Sequence, residues 1–227
     1  MFGIYLPVDE GYFLHFQGLL YSFKDLLDVD YKIIIVDIGL SVRNTEILYK
    51  HFNWLNFEIL KIDWTSDDKK TYRFKVKVIE LMLNSSFDYT MLLDSKNHLK
   101  AKLSFIISLL EKSPVLIQDI SPYLEKDWTH KTALEFMGVS ENEKILNSNQ
   151  YQSNNPVFDR LKSIDIMKDI VKFGMNDTAL CPLGSKKSFE GESRHRQDQS
   201  VISVVLKLHN IKPTYEVYSN YHNTIHI

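Results

Sequence analysis

The 227-residue sequence has a single cysteine, Cys181, so an internal disulfide and a cysteine zinc site are both excluded. Nowhere does an uncharged apolar run approach the roughly 18 residues of a membrane-spanning helix. The opening Met-Phe-Gly-Ile-Tyr-Leu-Pro-Val also lacks the basic start and long apolar stretch of a secretory signal. A cytoplasmic setting with no membrane span is therefore expected, and peripheral membrane association is compatible with it. An excess of charge of one sign is lacking too. The 27 Lys+Arg against 29 Asp+Glu leave a net charge of -2, which supplies no drive toward nucleic acid but leaves room for a local pocket holding one small anion. Neither G-x-G-x-x-G nor G-x-x-x-x-G-K-[ST] occurs, which excludes dinucleotide dehydrogenases and P-loop nucleotide hydrolases. G-x-S-x-G is missing as well, and the eight histidines are scattered, which argues against a hydrolase elbow or a zincin site.

What is present is a rhythm. In the first half, short β-rich runs alternate with longer amphipathic stretches. Residues 2–6 are predicted as a strand, and Phe16, Leu19, Leu20, Phe23, Leu26 and Leu27 recur at the spacing of one helical stripe. The continuous apolar run 32–36 reads as a strand covered on both faces. Ser41 can cap a helix through about His51, residues 57–62 form a third strand ending at Asp63-Trp64, and a helix follows over about 71–83. A strand at 89–93, a helix at 103–110 and a strand at 115–118 continue the alternation. Beyond about Pro122 it fades into polar text, from which helices near 164–173 and 199–208 emerge. Such repeats build a parallel sheet with right-handed crossovers, which binds ligands beyond the carboxyl ends of its strands. The expected architecture is one α/β domain, a Rossmann-type, mostly parallel sheet flanked by helices. Residues 1–100 are expected to form the nucleotide-binding half, and 101–227 to complete the cleft on the acceptor side.

At one strand end, Asp94-Ser95-Lys96 places an acidic residue directly after a buried run, with a second polar side chain two residues on. In extended chain the two point the same way. This segment resembles the D-x-D region of GT-A glycosyltransferases, which holds the diphosphate of a sugar nucleotide, usually through a divalent cation. Two further segments are similar in the same order: Tyr72-Arg73-Phe74-Lys75, and Arg194-His195-Arg196-Gln197-Asp198-Gln199-Ser200 with the family's D-Q-S at the start of a late helix. The stretch Gln150 to Phe158 lies where these families carry a loop and strand bordering the donor sugar. The resemblance implies a GT-A fold and transfer of a sugar from a nucleoside-diphosphate donor, expected to be UDP-linked, to a hydroxyl of a glycan, polysaccharide or related acceptor.

It also assigns roles. Lys96 stands where the family motif has its second acid, and an ammonium cannot ligate a hard cation. It is expected to offset diphosphate charge itself, making a divalent metal dispensable; the bland reading is a solvated Asp94–Lys96 pair. Arg73 and Lys75 put cations at a helix start, a placement that makes sense beside a bound anion. Asp37 and Asp63 are candidates to accept hydrogen bonds from ribose or base, or are helix caps. Asp198 is the candidate base, or otherwise a positioning carboxylate or a plain cap, with Gln199 beside it at the donor. Asp94 is a possible metal ligand, with His222 and His226 as a weaker pair. Trp64 is the tryptophan placed to stack on a sugar, and 183–193 reads as a candidate lid. A catalytically silent GT-A-like module that binds glycans or a partner enzyme is the alternative. A sugar nucleotidyltransferase is a more remote one, because its Gly-rich basic N-terminal loop is missing.

Overall fold

The computed structural model describes residues 1–62, 64–183 and 194–214. In chain order the elements are β1 (Phe2–Val8), α1 (Phe13–Ser22), β2 (Tyr31–Asp37), α2 (Val42–His51), β3 (Phe57–Lys61), α3 (Ser66–Lys70), α4 (Arg73–Leu83), β4 (Tyr89–Leu92), α5 (Leu103–Leu110) and β5 (Val115–Leu116). There follow β6 (Asp119–Leu124), α6 (Glu125–Trp128), α7 (Lys131–Phe136), α8 (Glu143–Leu146), β7 (Asn149–Tyr151), β8 (Val157–Asp159), α9 (Ile164–Gly174), α10 (Asp177–Leu180) and α11 (Asp198–Leu208). Six strands form one sheet in the order β3-β2-β1-β4-β8-β5. β3, β2, β1 and β4 run parallel, while β8 is antiparallel to both of its neighbours. This is the mostly parallel α/β sheet expected, with one difference. β8 returns from late in the chain and wedges between β4 and β5.

The apolar strands alternate strictly between two cores. Ile4, Leu6, Ile33, Ile35 and Met91 face the layer of α1, α2 and α5; Tyr5, Ile34, Val36 and Leu92 face the layer of α4, α9 and α11. A strand with apolar residues on both faces has to be covered twice, which is why its sequence shows no polar alternation. α2 starts as expected: Ser41 Oγ accepts from Asn44 N at 3.2 Å, and Lys50 and His51 fall in its last turn.

The stretch 71–83, expected as one helix, is preceded by a short α3 with a capping box between Thr65 and Asp68. Tyr72 then turns left-handed, with φ 57, before α4 begins. Asp68 also bonds Lys77 Nζ at 2.9 Å, which ties α3 to α4. Gly174 seats α9 on α4, since a Cβ there would lie 2.6 Å from a Val76 methyl. The polar text after Pro122 holds a separate two-stranded sheet of β6 and β7, which was not anticipated. Among the described residues no helix is long and apolar enough to cross a membrane.

Candidate functional site

Above the carboxyl ends of β1 and β4 the chain leaves two adjoining clefts, of about 380 and 570 Å³. Tyr72, Lys75, Asp94 and Asn154 line both and form the divide between them. The smaller cleft draws every lining residue except Asn154 from the first hundred, while the larger one takes most of its wall from residues 120–199.

The floor of the divide is a clamped turn. Asp94 N and Asn97 Nδ2 both donate to Asn154 O, Asn97 N donates to Asp94 O, and Ser95 Oγ donates to Pro7 O at the end of β1. These bonds fix Asp94 with its carboxylate toward α4. Lys75 Nζ donates to Asp94 Oδ2 at 2.7 Å and stands 3.6 Å from Asp198 Oδ2. Burial works against the Lys75 charge, but the two carboxylates outweigh it and hold the ammonium protonated above its ordinary range. Asp198 Oδ2 is buried and accepts no hydrogen bond. It opens α11 after Gln197, whose φ of 44 and ψ of -116 aim the helix start at the cleft. Three carrier segments thus bring one cation and two carboxylates to one point.

Around that point the smaller cleft holds Lys96, whose Nζ lies 5.1 Å from the Tyr12 ring centroid. Asp94 pairs with Lys75 rather than with Lys96, so the solvated Asp94–Lys96 pair does not form. At the far side Asp9 Oδ1 accepts from Tyr12 N at 3.1 Å while its Oδ2 pairs with Lys69 of α3. In the larger cleft Gln199 Nε2 donates to Gln150 Oε1 at 2.9 Å, beside Arg196 and Tyr123. His195 is buried; its Nδ1 accepts from His130 N and its Nε2 bonds Leu180 O. Burial pushes its pKa down to about 4, so it is a neutral tie rather than a charge.

Two expected donor residues lie outside both clefts. Asp37 Oδ1 accepts from Gly39 N at 2.9 Å and Leu40 N at 2.7 Å, so its carboxylate closes the turn after β2 instead of facing a ribose. Arg73 turns to Asp177 and Asp68. Two residues apart on a helix means roughly 200° around it, so with Lys75 at the divide Arg73 has to point elsewhere. Trp64 packs against the α4-side core. Asp63, His222, His226 and residues 184–193 of the candidate lid lie outside the described residues. Of the other cleft residues, Asp9 follows a buried parallel strand as Asp94 does, Tyr72, Asn154 and Arg196 fall within the segments that carry the resemblance, and Tyr123 had no sign in the sequence.

A divalent cation, which GT-A sites usually hold, does not fit the described donors. No group of three His, Cys, Asp or Glu converges among the described residues. Asp94 is already neutralised by Lys75, Ser95 Oγ is spent on Pro7, and Lys96 brings a second ammonium.

No family model matches the sequence, and no curated protein does. Solved structures do. A bifunctional glycosyltransferase, WbbM, aligns over 89% of this chain at 13% identity and a TM-score of 0.61, and this chain spans 37% of it. The galactosyltransferase LgtC, solved with donor and acceptor sugar analogs, aligns over 88% at 13% identity and 0.57, with 69% of its own length covered. Mouse xyloside xylosyltransferase 1 aligns over 94% at 10% identity and 0.54, with 83% of its length covered. At these identities the likeness is one of fold, and the fold of this chain is that of the GT-A glycosyltransferases.

Proposed function

We propose that the chain is a glycosyltransferase that moves a sugar from a nucleoside-diphosphate donor, UDP-linked by expectation, to a hydroxyl of a glycan or related acceptor. The observation that carries this reading is Lys75, held between Asp94 and Asp198 at the divide of two adjoining clefts on this fold. The smaller cleft takes the nucleoside diphosphate, and the larger takes the donor sugar and the acceptor.

In transfer, the bond from the anomeric carbon to the diphosphate oxygen breaks and a bond to the acceptor oxygen forms. The diphosphate gains negative charge as it leaves, and the ammonium groups of Lys75 and Lys96 are the fixed cations placed to meet it. The acceptor's proton passes to the carboxylate of Asp198, whose Oδ2 has no other proton donor bonded to it. No step is assigned to a metal. Gln199, held through Gln150, positions the sugar, and Arg73 supports the site through α3 and α10 rather than touching substrate. A cytoplasmic setting is part of the same reading, and a lone cysteine, Cys181, with no internal disulfide to form, is consistent with it.

The test is calorimetry with UDP, GDP and ADP and their sugars, followed by donor hydrolysis over hours. One nucleoside diphosphate should bind, and Lys75→Glu should weaken it at least about tenfold, or about 1.4 kcal/mol. Failure to bind with any base would remove the reading. Binding without hydrolysis or transfer would point instead to the silent module.

A further inference from the structure

One wall of the larger cleft carries a cation that the proposed transfer does not use. Arg196 stacks its guanidinium over Tyr123 at 5.4 Å and Trp128 at 5.6 Å, and these two rings meet edge to face at 4.7 Å. Its backbone N–H is satisfied by Ser200 Oγ at 3.0 Å, but side-chain Nη1 is buried with no hydrogen-bond partner. No carboxylate lies within ion-pair distance of it among the described residues. The acid it senses, Asp198, already stands against Lys75. Arg194 repeats the pattern, stacked over Trp128 at 4.9 Å with a buried, unbonded Nε.

A buried donor left unbonded costs about 1–3 kcal/mol, and more on a charged group, and the guanidinium that bears this one belongs to a residue lining the larger cleft. The aromatic stack fixes the plane of the guanidinium, and a planar fork with a free Nη matches a carboxylate or phosphate better than it matches a neutral hydroxyl.

We propose that the larger cleft takes a saccharide bearing a carboxylate or phosphate group, bound through Arg196 beside the Tyr123 ring. This rests on the reading that the larger cleft receives sugar. The acid belongs either to the acceptor or to the transferred sugar itself; the chemistry at Arg196 is the same.

The probes are methyl β-D-glucuronide and glucose 6-phosphate against methyl β-D-glucoside, titrated by ligand-observed NMR with and without UDP. UDP-glucuronic acid against UDP-glucose, by calorimetry, is the second arm. An anionic sugar should bind at least tenfold more tightly than its neutral counterpart in one arm, and Arg196→Gln should erase that preference while leaving UDP affinity within about twofold. Preference in the first arm assigns the acid to the acceptor, and in the second to the donor sugar. Equal binding of charged and neutral sugars in both arms overturns the proposal. So does a tenfold loss of UDP affinity in Arg196→Gln, which would give the guanidinium to the diphosphate. The wild-type comparison needs no variant, so a poorly folded Arg196→Gln protein leaves the proposal exposed to refutation, and Arg196→Lys then supplies the charge without the planar fork. Loss of nucleotide binding would strike the transfer reading instead, because the sugar titrations are also made without UDP.

Discussion

Among the described residues two lysines are buried against carboxylates, and the two centres they form differ in what they leave open. Lys207 of α11 donates to Glu125 Oε1 and to Asn149 O, both at 2.6 Å. Glu125, fully buried, also accepts from Ser203, from Thr129 Oγ1 at 2.6 Å and from Gln150 Nε2 at 3.2 Å. Every lone pair there has a donor. Lys75 is as buried as Lys207, yet its partner Asp94 keeps 31% of its side chain exposed and Asp198 Oδ2 accepts nothing. Burial pushes Lys207 below its ordinary pKa, outweighing Glu125 and the weaker pull of Asp119, whereas Asp94 and Asp198 hold Lys75 above its own. A saturated centre at the junction of β7, α6 and α11 holds elements together. An unsaturated one at a cleft divide has capacity left for a ligand.

The largest expected effect breaks that comparison at its sealed end. Lys207→Met strands a carboxylate with no exposure and should cost about 3–5 kcal/mol of stability, read by chemical denaturation. Lys75→Met should cost clearly less, because Asp94 reaches water and Asp198 borders a cleft. Equal losses would mean that the two centres play the same structural part. The open end is tested by Asp198→Asn, which should lower transfer at least about a hundredfold, close to 2.7 kcal/mol of transition-state stabilisation, with stability changed by about 1 kcal/mol or less. Normal transfer by a merely less stable protein would make Asp198 a cap.

His195 ties the segment leading into α11 to Leu180 and His130. Its pKa of about 4 in the fold lies below the ordinary 6.5, so between those values the unfolded chain binds a proton that the folded chain refuses. Stability should therefore rise with pH across that window and fall as the solution is acidified, by about 2 kcal/mol at pH 5 relative to pH 8. His195→Gln, which keeps a donor for Leu180 O, should remove that part of the slope in denaturation curves measured at several pH values. An unchanged slope would show that the imidazole is free to charge in the fold.

The parallel core was legible because its strands are apolar on both faces and its helices carry a single stripe, patterns long enough to have a period. β7 and β8 span three residues each, too few for any period, so the β6–β7 sheet and the wedging of β8 came only with the structure. At the site, Lys75, Asp94 and Asp198 were all named from strand and helix ends. Their convergence was not, because it depends on Asn154 clamping the turn after β4 and on α11 starting from a strained Gln197. Asp37 and Arg73 lie outside both clefts for local reasons: backbone N–H groups of the following turn take the Asp37 carboxylate, and the helical phase turns Arg73 toward Asp177.

The smallest effect concerns Lys96, and it sharpens the comparison by asking what the open centre lacks. Lys96 has no carboxylate partner among the described residues and rests against Tyr12, so removing it strands no charge and should leave stability nearly unchanged. Its use appears only when a diphosphate arrives: Lys96→Ala should weaken nucleoside-diphosphate binding about tenfold, or 1.4 kcal/mol, in calorimetry. A metal in the same place would oppose it, since two unit cations 4 Å apart repel by about 4 kcal/mol at an effective dielectric of 20, and a divalent ion would do so more strongly. Wild-type transfer should consequently survive chelator, and Lys96→Asp should recover part of the activity lost by Lys96→Ala only when Mn²⁺ or Mg²⁺ is supplied. If chelator abolishes wild-type transfer and Mn²⁺ restores it, Lys96 must swing away to let an ion reach Asp94. The open centre would then be completed by a metal rather than by its second lysine.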